Sequence, residues 1–378
     1  MDEEAYVLLL STPKIILERR YILKSSKKII ICVLLIVTSF ISLILINTNT
    51  NKTFKYKGST IALTVDGNNV TSFPTNGKYK VTVNCNNAIG RWNPKTWKLE
   101  ITKITGTVTC DVSFNSSVSN LTSLINNRTT KSENGYRYEG KDPNNYIWFN
   151  DELWRIIGNI PVCVESGCST TENRAKIIRN DSIGAIKYGS NSIWIGSNIQ
   201  NLLNTCYLGK KSSCDSYCIT TSSKAKGTCD YSADGIDTTD FYGKMVEDVY
   251  FNIGAGDETY KTAADYYTQE IATHATSASK IGLMYASDWG YANDEFSGEL
   301  GFTTMPFGSS KNNWLSSNNE WTMSGYSSSY PLIVSHLGSL FSNASSNGSS
   351  IRPVLYLKSN VYVVSGIGTK VDPYRIGI

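Results

Sequence analysis

Along this chain one apolar run stands apart, and everything after it alternates. Ile29 to Ile46 carries no charge and is interrupted only by Cys32, Thr38, Ser39 and Ser42. As a helix the run is roughly 27 Å long, about one hydrocarbon core. From residue 59 the pattern changes to period two, which puts alternate side chains on opposite faces of strands. Ile61, Leu63 and Val65 alternate, and Asp66-Gly67 then signals a turn. Tyr79, Val81, Val83 and Cys85 follow, then Trp97, Leu99 and Ile101, then Val108, Cys110, Val112 and Phe114. These strands predict a small all-β, sandwich-like module over residues 59–116. Cys85 and Cys110 share the apolar face of their strands, so the phase predicts a disulfide between them.

Residues 117–135 are rich in Ser, Asn and Thr and read as a linker, with one helical turn near Leu121–Ile125. The second module is expected over 136–378. Tyr146-Ile-Trp-Phe-Asn-Asp-Glu-Leu-Trp-Arg-Ile-Ile157 reads as a hairpin turning at Asn150-Asp151, and residues 175–179 supply a third strand. Cys163 and Cys168 close the loop between strands two and three. Ile199, Leu202, Leu203 and Cys206 have helical spacing. A second helix is expected through Met245, Val246, Val249 and Tyr250, and a third over 263–272. Residues 280–285 read as a buried strand running into a loop at 287–299. Asn313-Trp-Leu and residues 320–326 read as loops, and residues 351–358 and 361–364 as closing strands.

The flanks decide where these modules lie. Lys14, Arg19, Arg20, Lys24, Lys27 and Lys28 precede the apolar run, and basic residues next to a span stay on the cytoplasmic side. A cleaved signal peptide is the alternative, but its basic region would be unusually long. Asn47-Thr48-Asn49-Thr50 offers no small-residue cleavage site. Cys32 sits near the start of the run, where a lipoprotein cysteine would follow it. The expectation is therefore a single-pass membrane protein with an N-terminal transmembrane helix at 29–46. Residues 1–28 form a basic cytoplasmic segment, 47–58 a linker, and the bulk of the chain is extracellular.

Composition sharpens that placement. The part beyond the span is nearly neutral, with 30 basic against 28 acidic residues, so nothing points to nucleic acid as a partner. Of nine cysteines, eight lie beyond the span: Cys85, Cys110, Cys163, Cys168, Cys206, Cys214, Cys218 and Cys229. An even, clustered set in an oxidising compartment reads as disulfides. Zinc is the rival, but the chain has no Cys-x-x-Cys and only His274 and His336. Cys206, Cys214, Cys218 and Cys229 allow three pairings, and sequence does not choose among them.

Several motifs carry a resemblance. Asn-Tyr-Ile-Trp-Phe-Asn-Asp-Glu-Leu-Trp-Arg-Ile-Ile-Gly at 145–158, Lys-Ile-Ile-Arg-Asn-Asp-Ser at 176–182 and Ile-Gly-Leu-Met-Tyr-Ala-Ser-Asp-Trp-Gly-Tyr-Ala at 281–292 are three of them. Trp-Thr-Met-Ser at 321–324 and Ile-Arg-Pro-Val-Leu-Tyr-Leu-Lys-Ser-Asn at 351–360 complete the set. Together they resemble an uncharacterised group of anchored or secreted surface proteins of gut Firmicutes and wall-less relatives. The C-terminal pattern around Arg352 also resembles C-type-lectin-like domains of the formylglycine-generating-enzyme type. That resemblance implies an α+β C-type-lectin-like domain for 136–378. Active-site cysteines of that enzyme type belong to the C-terminal part of the domain, and this chain has none after Cys229, so the oxidase activity is not carried over.

Candidate chemistry is sparse. Neither His274 nor His336 sits in a recognised catalytic motif, so no catalytic residue is assigned. Asp230-x-Ser232-x-Asp234-Gly235 resembles the first half of a calcium loop, yet Phe241 stands where the bidentate Glu is required. No cofactor is implied, and calcium is the one metal these oxygen-rich loops could suggest. Trp314 and Trp321 are expected in the core. Asp288, Trp289, Tyr291, Asn293, Asp294, Glu295 and Glu299 are the candidate ligand-binding residues: a loop presenting an indole, a phenol and carboxylates suits a glycan or protein ligand. The expected function is recognition or adhesion at a cell surface. A cell-envelope enzyme on a lectin-type fold and a purely structural surface protein are the alternatives.

Overall fold

Among the described residues the first of two units is built of nine strands. The computed structural model describes residues 6–11, 14–19, 53–56, 59–129, 131–190, 192–214, 217–218, 229–254, 262–272, 276–294, 312–327, 330–336 and 338–378. The chain divides into residues 1–117 and 118–378. The first unit holds β1 (Tyr6–Ser11), β2 (Lys14–Arg19), β3 (Thr53–Tyr56), β4 (Ser59–Val65), β5 (Asn68–Asn69), β6 (Lys80–Asn86), β7 (Ile89–Asn93), β8 (Lys98–Thr102) and β9 (Thr109–Asn115). One sheet runs β3-β4-β9-β6 with β5 on β4, and the other runs β2-β1-β8-β7. In β9, Cys110, Val112 and Phe114 are buried while Thr109, Asp111 and Ser113 are exposed. Trp92 of β7 lies against Phe114 of β9, ring centroids 4.9 Å apart, so the two sheets meet through aromatic side chains. Each such side chain removed from water contributes about 1.5–3 kcal/mol. The Asp66-Gly67 turn has positive φ at both residues, 46° and 78°, as a two-residue hairpin turn requires. Asp66 also accepts the Ser116 N–H at 2.8 Å, tying the turn to the end of β9.

Cys85 and Cys110 face each other across the β6–β9 ladder and are disulfide-bonded, Cα atoms 4.1 Å apart. A Cβ on Gly90 would stand 2.4 Å from the Cys85 sulfur, so β7 approaches this bond as only glycine allows.

The second unit contains α1 (Leu121–Arg128), β10 (Tyr136–Arg137), β11 (Tyr146–Phe149), β12 (Glu152–Cys163), β13 (Thr171–Arg179), β14 (Ala185–Lys187) and α2 (Asn198–Asn201). Then come β15 (Val249–Asn252), α3 (Ala263–Ala272), β16 (Thr276–Ser279), β17 (Ile281–Gly282) and α4 (Ala286–Tyr291). The chain closes with β18 (Glu320–Ser327), β19 (Tyr330–Val334), β20 (Leu340–Ser342), β21 (Gly348–Ser350), β22 (Val354–Leu357), β23 (Tyr362–Ser365) and β24 (Arg375–Gly377). The main sheet runs β16-β15-β12-β13-β22-β17, with β10 and β11 also on β12. A second sheet runs β14-β21-β18-β19-β20, and β23 pairs β24. The β11–β12 hairpin turns at Asn150-Asp151, both at positive φ. It shares a sheet with β22, and β13 lies between them. Both ends of the unit meet: Leu121 N–H donates to Val361 O at 2.9 Å, and Tyr374 N–H donates to Tyr146 O at 2.9 Å. The protein is thus mostly β, with short helices.

Several expectations are corrected. Residues 117–135 are not a free linker, because α1 buries Leu121 and Ile125 in the second unit's core. Residues 47–58 include β3. Two strands lie within 1–28, and β1 pairs with β8 (Tyr6 opposite Ile101). The helix expected through Met245–Tyr250 is a 3-10 turn (Gly243–Met245) followed by β15, whose Val249 and Phe251 point inward. Residues 320–326 form β18 rather than a loop. The helix at Ile199–Cys206 begins as α2 and continues as a π-helical turn (Leu202–Tyr207). The transmembrane run at 29–46 lies outside the described residues. Among the described residues no helix is long and apolar enough to cross a membrane.

The other six cysteines beyond residue 46 pair as Cys163–Cys168, Cys206–Cys214 and Cys218–Cys229. This resolves the pairing that spacing left open.

Candidate functional site

β13 runs between β12 and β22, and from Ala175 to Arg179 every residue is buried. Lys176 therefore points its ammonium into the interior. Its Nζ donates to Asp288 Oδ2 of α4 at 2.5 Å. Arg137 of β10 donates Nη1 to Asp288 Oδ1 at 2.8 Å, and the Tyr285 N–H donates to Oδ2 at 2.9 Å. Asp288 thus caps α4 and binds two cations, with every charge almost wholly enclosed. The Tyr285 ring centroid lies 4.3 Å from the Lys176 Nζ. Glu270 of α3 lines a cavity of about 10 Å³ together with Arg137, Lys176 and Asp288. It accepts from the Ser324 hydroxyl at 2.5 Å, from the Ser287 N–H at 3.2 Å and from the Ser287 hydroxyl.

Burial dominates the titration of this cluster. Burial lowers the Lys176 pKa, against the pull of Asp288. It would raise Asp288, but Lys176 and Arg137 outweigh it and hold that carboxyl below its ordinary value. Burial raises Glu270 to about 7, against the hydrogen bonds from Ser287 and Ser324.

Of the recognition loop expected at 287–299, residues 287–291 are corrected accordingly. Residues 286–291 are helical and buried. Trp289 is 0% exposed, and its indole N–H donates to the Ser316 hydroxyl at 2.9 Å. Tyr291 is enclosed beneath the Arg137 guanidinium, 4.5 Å from its ring centroid, and its hydroxyl accepts from the Asn134 amide at 2.8 Å. Asn293 is buried and bridges to Asn313, whereas Asp294 is exposed. Glu295, Glu299 and His274 lie outside the described residues. The physical reason is that an apolar strand, Ile281–Gly282, delivers the segment into the core, and Lys176 and Arg137 give Asp288 its counter-charges there. Trp314 and Trp321 are core residues as expected, each donating its indole N–H to a backbone carbonyl at 2.8 Å.

An open groove of about 400 Å³ lies on the second sheet. Its walls include Asn318, Asn319, His336, Phe341, Asn343 and Ser350, and among the described residues no Lys, Arg, Asp or Glu lines it. His336 Nδ1 stands 2.9 Å from Asn319 Oδ1, and the His336 N–H donates to the same oxygen at 3.2 Å. Since that oxygen accepts, Nδ1 carries a proton. The Asn343 amide donates to the Ser349 hydroxyl at 3.4 Å and its carbonyl accepts from Asn347 at 2.7 Å. The groove thus offers amides, hydroxyls, one imidazole and the half-buried ring of Phe341. Sequence reasoning missed it, because its residues come from five separate strands or their ends.

Among the described residues no three His, Cys, Asp or Glu side chains gather as a metal site. In the calcium-like segment, Asp230 accepts the Ser232 N–H at 2.8 Å, and the Asp234 carbonyl accepts from Asn150 at 3.0 Å. No family model, curated protein or solved structure matches the chain.

Proposed function

We propose that the protein is a membrane-anchored extracellular recognition protein whose second unit binds a neutral glycan in the Asn319–His336–Phe341 groove. One observation carries the reading: an open cleft, uncharged among the described residues, combines hydrogen-bonding amides and hydroxyls with an aromatic ring. Sugars ask for that combination, since their hydroxyls need donors and acceptors and their C–H faces suit a ring. Four disulfides fit an oxidising compartment. The basic flank and apolar run at 29–46 supply the anchor, with the N-terminus cytoplasmic. The β1–β8 pairing requires residues 6–11 and β8 on one side of the bilayer, so protease protection of residues 6–19 in intact cells tests the anchored topology. A C-type-lectin-like fold for the second unit is supported by the meeting of its two ends and by the inward position of Arg352.

A glycan array probed with the detergent-solubilised full chain tests the function. Binding to neutral oligosaccharides, weakened at least tenfold by Phe341→Ala, is the expected result. Capture of proteins but no glycan would overturn it.

A further inference from the structure

We propose that Lys176 and Asp288 condense to an isopeptide bond, a covalent cross-link between β13 and α4. The two groups touch, Nζ to Oδ2 at 2.5 Å, while their side chains are 0% and 1% exposed. Reacting groups held this close in one molecule gain a large effective concentration. An ordinary surface ion pair has water to keep it ionic. Here the surroundings are the rings of Tyr285 and Tyr356, with centroids 4.3 and 5.4 Å from the Nζ. Such an interior disfavours the charge on Lys176, the group that must become the neutral nucleophile.

The step balances without any co-reactant. The ammonium passes a proton to the Asp288 carboxylate, leaving a neutral amine and a carboxylic acid. The amine lone pair attacks Cγ, forming the C–N bond. Charge develops on Oδ1, where the Arg137 Nη1 already donates at 2.8 Å, so that guanidinium stabilises the tetrahedral intermediate. Oδ2 takes a second proton from the nitrogen, the C–Oδ2 bond breaks, and one water leaves. Glu270 lines the same cavity as both reactants and carries that second proton from nitrogen to Oδ2. The cavity, about 10 Å³, is about the size that admits one water. The product keeps Oδ1 as an amide oxygen bound to Arg137 and removes two buried charges from the core. The same three side chains would otherwise form a buried ion triad, which is often no more stable than an apolar replacement.

Intact-mass measurement of the full chain, reduced and denatured, tests the proposal. The expected mass is lower than the sequence mass by one water. Proteolysis should yield a branched peptide joining the segments around 176 and 288. Lys176→Arg keeps the cation but cannot form this amide, so it should show the full sequence mass. Asp288→Asn should release ammonia instead and give the same linked product. A wild-type chain at full sequence mass with no branched peptide overturns the proposal. So does a water loss that persists in Lys176→Arg. Persistence of the link in Glu270→Gln overturns the proton-carrying role given to Glu270.

Discussion

Arg352 grips Glu320 with three hydrogen bonds, two from Nε at 2.9 Å and one from Nη2 at 2.8 Å. Nη2 also donates to the Leu315 carbonyl at 2.6 Å. Glu320 begins β18 in the second sheet, and Arg352 precedes β22 in the main sheet, so the pair fastens the two larger sheets of the second unit. Both side chains are almost fully buried. Removing one partner leaves an uncompensated interior charge, which costs about 3–5 kcal/mol. Arg352→Leu should lower the urea midpoint by a corresponding amount, and Arg352→Leu with Glu320→Leu should recover much of the loss. A double variant as unstable as the single one would show that packing, rather than charge, sets the cost.

Trp289 and Phe341 should separate stability from binding. Trp289 is enclosed and hydrogen-bonded. Its truncation removes contacts and opens a cavity, a change that typically costs about 3–5 kcal/mol. Trp289→Ala should therefore lower the melting temperature strongly, with unchanged affinity in the protein that remains folded. Phe341 is half-buried at the groove, and Phe341→Ala should show the reverse pattern. Thermal melts paired with oligosaccharide titrations read both quantities. Equal loss of stability in both variants would remove the distinction.

The disulfides differ in what they close. Cys85–Cys110 bridges 25 positions in a small module, and chain-entropy reasoning gives it about 3–4 kcal/mol. Cys85→Ala with Cys110→Ala should lower the first unit's unfolding midpoint and leave the Arg352–Glu320 unit unaffected. Peptide mapping without reduction should recover Cys206–Cys214 and Cys218–Cys229 as separate pairs. A Cys206–Cys229 peptide would contradict that connectivity.

Strands were legible where one face is buried and one is wet. Cys110, Val112 and Phe114 alternate, and the ladder follows them. The hairpin at Asn150-Asp151 was legible through residues that tolerate positive φ. The reading faltered where both faces are covered. β18 has buried Trp321, Thr322, Met323 and Ser324 in succession, so no alternation marked it as a strand. Lys176 and Glu270 hid for a related reason. A charged residue within an apolar stretch gives no sign of its distant partner, and Lys176 meets Asp288 across 112 positions. Spacing placed four cysteines together, but only the folded chain pairs them. The groove was illegible because Asn, Ser and His in separate turns carry no periodic signal.

Stability should vary with pH through Glu270, and the sign follows from its surroundings. Its carboxyl is raised by burial from 4.5 to about 7 in the folded protein. The folded state therefore prefers the protonated form. Its contribution is full below about pH 4.5 and falls as the pH rises through about 7, then stays level. A shift of this size corresponds to stability on the order of 3 kcal/mol. Asp288 has the opposite sign in a chain without the isopeptide bond: its carboxyl is depressed, so its contribution is present at neutral pH and lost in acid. Once amidated it does not titrate, and that acid limb disappears. Urea midpoints measured between about pH 5 and pH 8 should thus decline for the wild type, and Glu270→Gln should flatten the decline. In Lys176→Arg a destabilising limb should appear below about pH 4 while the Glu270 slope remains. A wild-type profile that rises with pH across this window would place the ionised, not the protonated, Glu270 in the folded core.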